Sequence, residues 1–162
     1  MPGVKITKLV ERMDLKNLTP DIDLTDKVIT VPDINRPALQ LTGYFDHFAS
    51  DRVQIIGYVE YTYLKHLSSE ERLPIYERFL SSEIPCVIFS SRTEPDDEFL
   101  KLAVKHNKPL LASDQETSPF MAECIRALST MLAPCVSIHG VLVDVYGEGV
   151  LLMGESGVGK SE

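Results

Sequence analysis

Near the end of the chain, Gly154-Glu155-Ser156-Gly157-Val158-Gly159-Lys160-Ser161 matches G-x-x-x-x-G-K-[ST] at every fixed position. Glycine allows the backbone to close around a phosphate with no Cβ in the way. The amide N–H groups of such a loop turn inward, and the dipole of a following helix adds positive charge. Lys160 then supplies a mobile ammonium to β- and γ-phosphates, and Ser161 a hydroxyl for Mg²⁺. The plainer reading is a glycine-rich turn that happens to precede Lys-Ser. Because the loop directly follows the apolar run Val150-Leu151-Leu152-Met153, the strand-then-loop context favours a phosphate site.

His139 is the next candidate, in a strand pattern where it shares a face with Val141, Val143 and Val145. Two roles fit it. It is either a histidine hydrogen-bonded for structure on a half-buried strand, or a group that supplies charge or a proton beside a transferred phosphoryl. Asp144 falls on the opposite face and reads as a solvent charge near a turn. His47, His66 and His106 have no ligand spacing and read as surface or partly packed residues. The acidic run from Glu94 to Glu98 is interrupted by Pro95, which suits a helix start better than a metal site. Cys86, Cys124 and Cys135 are dispersed, with no C-x-x-C pair, as expected of reduced, buried thiols in a cytoplasmic protein. Tyr44, Phe45, Phe48, Tyr58, Tyr61, Tyr63 and Tyr76 read as packing residues rather than a stacking platform.

The elements that must position these groups fall into two blocks. Residues 1–133 open with a helical face of Ile6, Leu9, Val10 and Met13, then a turn-rich stretch and a short strand at residues 28–31. A buried strand is predicted at Val53-Gln54-Ile55-Ile56-Gly57-Tyr58-Val59, with others at residues 86–89 and 110–112. Helices follow each: one capped by Ser68 with Glu71 three residues on, one opened by Pro95-Asp96-Asp97-Glu98, one starting at Ser118-Pro119. Strand alternating with helix predicts an α/β fold, βαβ units around a parallel sheet. The stretch from Asn35 to Asp51 supports no assignment. From Pro134 the pattern changes to two strands about the turn Tyr146-Gly147-Glu148-Gly149, leading into the phosphate loop. A lone hairpin is marginal, so residues 134–162 are expected to open a second domain whose remainder lies further on.

Composition narrows the function classes. The 162 residues are 44% hydrophobic and 25% charged, enough apolar surface for a folded core, and the formal charge is −8. An acidic surface repels phosphate backbones and anionic lipid, so nucleic-acid and membrane affinity are not expected. No apolar run approaches the roughly 18 residues of a membrane span, and charged residues from Lys5 onward interrupt any signal-peptide core.

Ile138-His139-Gly140-Val141-Leu142-Val143-Asp144-Val145-Tyr146-Gly147, running on into the phosphate loop, resembles the HPr kinase/phosphorylase family. The resemblance extends upstream through Asp51-Arg52-Val53-Gln54-Ile55-Ile56-Gly57, Ile84-Pro85-Cys86-Val87-Ile88-Phe89 and the segment from Arg126 to Met131. It implies an N-terminal α/β domain without catalytic residues over 1–133. It also implies the first strands of a P-loop kinase domain, related to phosphoenolpyruvate carboxykinase, over 134–162. His139 matches the family's active-site histidine, which reverses the plainer reading of that residue, and Lys160 its active-site lysine. Residues 154–161 match its nucleotide loop, and Ser161 its magnesium-contacting hydroxyl. The implied partners are ATP or pyrophosphate, Mg²⁺, the phosphocarrier HPr and further copies of the chain in a homohexamer. The family's catalytic aspartate, second metal ligand and HPr-contacting helices all lie after residue 162. A phosphoryl-transfer site needs charge from several directions, so these 162 residues alone are expected not to phosphorylate HPr. Two alternatives remain: a nucleotide-independent sensor or assembly module, and another P-loop kinase acting on a small molecule.

Overall fold

The computed structural model describes residues 3–133. Along them run β1 (Val4–Lys5), α1 (Ile6–Met13), β2 (Lys16–Asn17), β3 (Val28–Ile29), β4 (Ile34–Asn35), β5 (Val53–Ile56), α2 (Tyr58–Lys65) and α3 (Ser69–Leu80). Then follow β6 (Val87–Phe89), α4 (Asp97–Lys105), β7 (Leu110–Ala112) and α5 (Thr117–Leu132). One sheet has the order β2-β7-β6-β5-β4, with β4 to β7 mutually parallel and β2 antiparallel on the β7 edge. β1 and β3 pair separately, Val4 opposite Ile29. The expected parallel core is present, making up the whole of this mixed sheet except its β2 edge.

Side-chain alternation divides the strands between two cores, which is why they read as unbroken apolar runs. Val53 and Ile55 of β5, Ile88 of β6 and Leu111 of β7 pack with α1 and α5. Ile56, Val87, Phe89 and Leu110 point to the other face, against α2, α3 and α4. Phe99 of α4 is the hub of this second core, with ring centroids 4.9 Å from Tyr76, 5.4 Å from Phe89 and 6.2 Å from Tyr61. Edge-on contacts of this kind add about 0.5–1.5 kcal/mol each beyond area burial.

Local signals account for the helix starts. Ser68 Oγ accepts from the Glu71 N–H, and the Glu71 carboxylate accepts from the Ser68 N–H at 3.0 Å, completing a capping box. Ser68→Ala is expected to cost about 1 kcal/mol, read as a lower urea midpoint at unchanged slope. α4 is capped by Asp96, whose Oδ1 accepts from the Phe99 N–H at 2.8 Å.

Several boundaries differ from the sequence reading. β5 stops at Ile56, and Gly57 is the N-cap of α2, so Tyr58 and Val59 are helical and exposed. Their β propensity yields to the helix start, where Glu60 stands at the positive end of the dipole. Pro95 precedes the cap of α4 instead of occupying its first turn. The first segment spends Val4 and Lys5 on β1 before its helix begins. The strand expected at 28–31 closes after Ile29. β2 and β4 went unread because two residues are too short for a period to show. Among the described residues no helix is long and apolar enough to cross a membrane.

Candidate functional site

A set of polar side chains among the described residues meets at the carboxyl edge of the parallel strands, the side on which open α/β sheets take ligands. Each strand delivers its own group there. Arg36 follows β4, Gly57 follows β5, Ser90 and Ser91 follow β6, and Ser113 follows β7. Thr117 opens α5, and Glu60 lies in the first turn of α2.

Ser90 Oγ is 2.7 Å and Ser91 Oγ 3.1 Å from Thr117 Oγ1, so three hydroxyls join the end of β6 to the start of α5. Arg36 Nε donates to Glu60 Oε2 at 2.7 Å, and Glu60 Oε1 is buried without a hydrogen-bond partner. Among the described residues no histidine or carboxylate bonds to the hydroxyls, so none is placed as the adjacent base that activates a nucleophile. Their bonds to one another brace the end of β6 against the start of α5. A Cβ at Gly57 would stand 2.6 Å from Thr117 Oγ1. The oxygen cannot retreat without stretching its bond to buried Ser90. Gly57→Ala is therefore expected to cost about 1–3 kcal/mol in urea denaturation. In a Thr117→Ala background the same change should cost much less, a coupling that a double-mutant cycle reads directly.

A strained pair of residues also stands at this edge. Ser91 and Arg92 are consecutive non-glycine residues with φ of 56° and 57°, in the left-handed region. Such residues cost of order 1 kcal/mol and persist where their surroundings hold them. Here the Ser91 N–H donates to the Gln115 carbonyl at 2.7 Å.

Other titratable groups are structural. The Tyr76 hydroxyl donates to Asp96 Oδ2 at 3.0 Å, and the Asp96 N–H donates to the Tyr61 hydroxyl. Burial pushes both phenols far above the usual tyrosine range, so both remain neutral. The acidic run thus caps a helix, as its sequence context suggests, and Asp96 also orders two tyrosines. His106 bonds to Glu77 across α3 and α4, His47 and His66 are exposed, and none joins a ligand set. Desolvation is the largest single influence on the Glu77 carboxyl and pushes it up, but the bond from His106 and the charges of His106 and Lys105 together outweigh it, leaving the carboxyl below its usual value. Cys86 and Cys124 are free and buried, and burial raises both thiols. Among the described residues no group of three His, Cys, Asp or Glu side chains could hold a metal ion.

Of the predicted site residues, His139, Gly154, Glu155, Ser156, Gly157, Val158, Gly159, Lys160 and Ser161 lie outside the described residues, as does Cys135. The carboxyl-edge groups escaped the sequence reading. One signal could have found them: Gly57, Ser90 and Ser113 each follow directly on an apolar strand.

The family model described as HPr Serine kinase N terminus matches residues 4–128, and that described as HPr Serine kinase C-terminal domain matches residues 130–162. The chain is 53% identical over 162 residues to the HPr kinase/phosphorylase of Lachnoclostridium phytofermentans, covering 100% of the chain and 52% of that protein. It is 45% identical over 157 residues to the HPr kinase/phosphorylase of Caldicellulosiruptor bescii, covering 97% and 50%. The corresponding protein of Alkaliphilus metalliredigens is 41% identical over 162 residues, covering 100% and 52%. The chain therefore spans about half the length of the curated relatives it matches. A solved structure of the CBS and DRTGG domains of the regulatory region of Clostridium perfringens pyrophosphatase superposes with a TM-score of 0.45 at 13% identity, covering 75% of this chain and 46% of that one.

Proposed function

Because the chain belongs to the HPr serine kinase family, we propose that it is the amino-terminal part of a bifunctional protein-serine kinase/phosphorylase. That enzyme phosphorylates a regulatory serine of HPr with ATP or pyrophosphate, removes the phosphate by phosphorolysis, and so controls carbon catabolite repression in the cytoplasm. The observation that carries this reading is 53% identity over the whole chain to an HPr kinase/phosphorylase, together with an intact G-x-x-x-x-G-K-S loop inside the matched span. Residues 1–133 form the N-terminal domain, and residues 134–162 begin the kinase domain of a homohexamer.

The donor set suits a polyphosphate. The loop amides and glycines of residues 154–159 would cradle its oxygens, Lys160 would bring an ammonium to the β- and γ-phosphates, and Ser161 would offer a hydroxyl to Mg²⁺. Bound magnesium supplies charge that neutralises the β and γ oxygens. His139 holds a proton or positive charge beside the transferred phosphoryl. In the forward direction the HPr serine oxygen bonds to the γ-phosphorus, the bond to the β–γ bridging oxygen breaks, and the serine proton passes to a base after residue 162. In reverse, an oxygen of inorganic phosphate bonds to the phosphoserine phosphorus, the bond to the serine oxygen breaks, that oxygen takes back a proton, and the product is pyrophosphate.

The test uses a polypeptide that carries these residues and extends to the length of the relatives. With HPr, ATP and Mg²⁺ it should form phosphoserine, detected by mass spectrometry, and added inorganic phosphate should then release pyrophosphate. Absence of both reactions overturns the proposal. The 162 residues alone should give neither, since one wall of a phosphoryl-transfer site cannot replace the whole.

A further inference from the structure

A cleft of about 360 Å³ opens beside the carboxyl ends of β6 and β7, where β2 closes the sheet. Leu18, Pro95 and Leu100 make an apolar wall. Around it stand Lys16 and Arg92, both positive, and Glu94 and Asp114, both negative. All four are exposed, and among the described residues none takes part in an ion pair. Thr93, also lining the cleft, is buried with its hydroxyl unpartnered. The left-handed pair Ser91 and Arg92 turns the chain so that Arg92, Thr93 and Glu94 all border this space. An apolar hollow with a few convergent polar groups, on the ligand side of a parallel sheet, has the character of a small-molecule site.

The balance of charge selects the ligand class. A phosphate or simple carboxylate is drawn by Lys16 and Arg92 but repelled by Glu94 and Asp114, and at comparable distances these Coulomb terms largely cancel. A simple amine meets the mirror-image cancellation. A molecule carrying both charges within a few ångströms pairs with both sets at once. We propose that this cleft binds a small zwitterion with an apolar side chain, an aliphatic α-amino acid. Its carboxylate lies toward Lys16 and Arg92, its ammonium toward Glu94 and Asp114, and its side chain against Leu18 and Leu100. The site is drawn from residues between Lys16 and Asp114 alone, so the inference stands independently of the kinase reading.

Titration of the ¹⁵N-labelled 162-residue chain with L-leucine should shift the amide signals of Thr93, Ala112 and Asp114 saturably. N-acetyl-leucine lacks the ammonium and leucinamide the carboxylate, and each should bind at least tenfold more weakly. Arg92→Gln and Asp114→Asn remove charge while keeping shape at exposed positions. Each should weaken leucine binding by about tenfold, the loss of one charge-assisted contact, with an unchanged circular dichroism spectrum. Three results overturn the proposal: no saturable shift with millimolar leucine, equal binding of either blocked analogue or of inorganic phosphate, or unchanged affinity in both variants.

Discussion

In a full-length polypeptide carrying this chain, Lys160→Ala is expected to lower HPr phosphorylation and phosphorolysis alike, each by on the order of 10²–10³-fold. The physical basis is shared machinery. Both directions pass through one charge distribution on the transferred phosphoryl, and an ammonium that stabilises it acts on both barriers. A thousandfold loss corresponds to about 4 kcal/mol of transition-state stabilisation. Lys160→Arg should not restore full rates, because a planar guanidinium does not reproduce a compact, mobile ammonium. The measurement is a pair of single-turnover rates, phosphoserine formation with ATP and pyrophosphate release with inorganic phosphate. If phosphorolysis survives while the kinase reaction is lost, the two directions do not share this lysine, and its placement on the β- and γ-phosphates fails.

The largest expected effect on stability lies in the second core of the described residues. Phe99→Ala should destabilise the described domain by about 3–5 kcal/mol, the usual range for removing a buried phenyl ring from a packed core. Phe99 is fully buried and its ring meets Tyr61, Tyr76, Phe79 and Phe89. Two of these neighbours, Tyr61 and Tyr76, are also tethered through Asp96. They cannot collapse into the space without giving up those hydrogen bonds, which places the cost toward the upper end. Since domains are stable by only about 5–15 kcal/mol, the variant should sit near its unfolding midpoint at modest urea concentration. Tyr76→Phe, which removes a hydroxyl and keeps the ring, should cost only about 1–3 kcal/mol, because the Asp96 oxygen it leaves is partly buried. A loss under about 1.5 kcal/mol for Phe99→Ala would show that the cluster repacks, and that these rings do not fix one another.

How much of this was legible beforehand differs between fold and site. Elements with a strong local cause were readable. The helix after Ser68 follows from a capping box, the helix after Asp96 from acidic residues at its positive end, and the strands at residues 87–89 and 110–112 from short apolar runs bounded by turns. Elements formed by pairing were not. β2 exists because Lys16 lies opposite Ala112, and β4 because Ile34 lies beside Val53. At Gly57 the β propensity of Tyr58 and Val59 misled, since the packing of α2 on the second core outweighed it.

By itself, the amino-acid sequence determined the βαβ grammar, the helix caps, the acidic balance and a G-x-x-x-x-G-K-S motif at residues 154–161. All are local properties, written in neighbouring residues and their spacing. Only the tertiary structure decided that Ser90, Ser91 and Thr117 share one hydrogen-bonded cluster, that Gly57 has no room for a side chain, and that Lys16, Arg92, Glu94 and Asp114 border one cleft. Those groups come from separate segments, Ser90 and Thr117 being 27 residues apart. They meet because parallel strands lay their carboxyl ends side by side, and no period in a linear chain records which ends become neighbours.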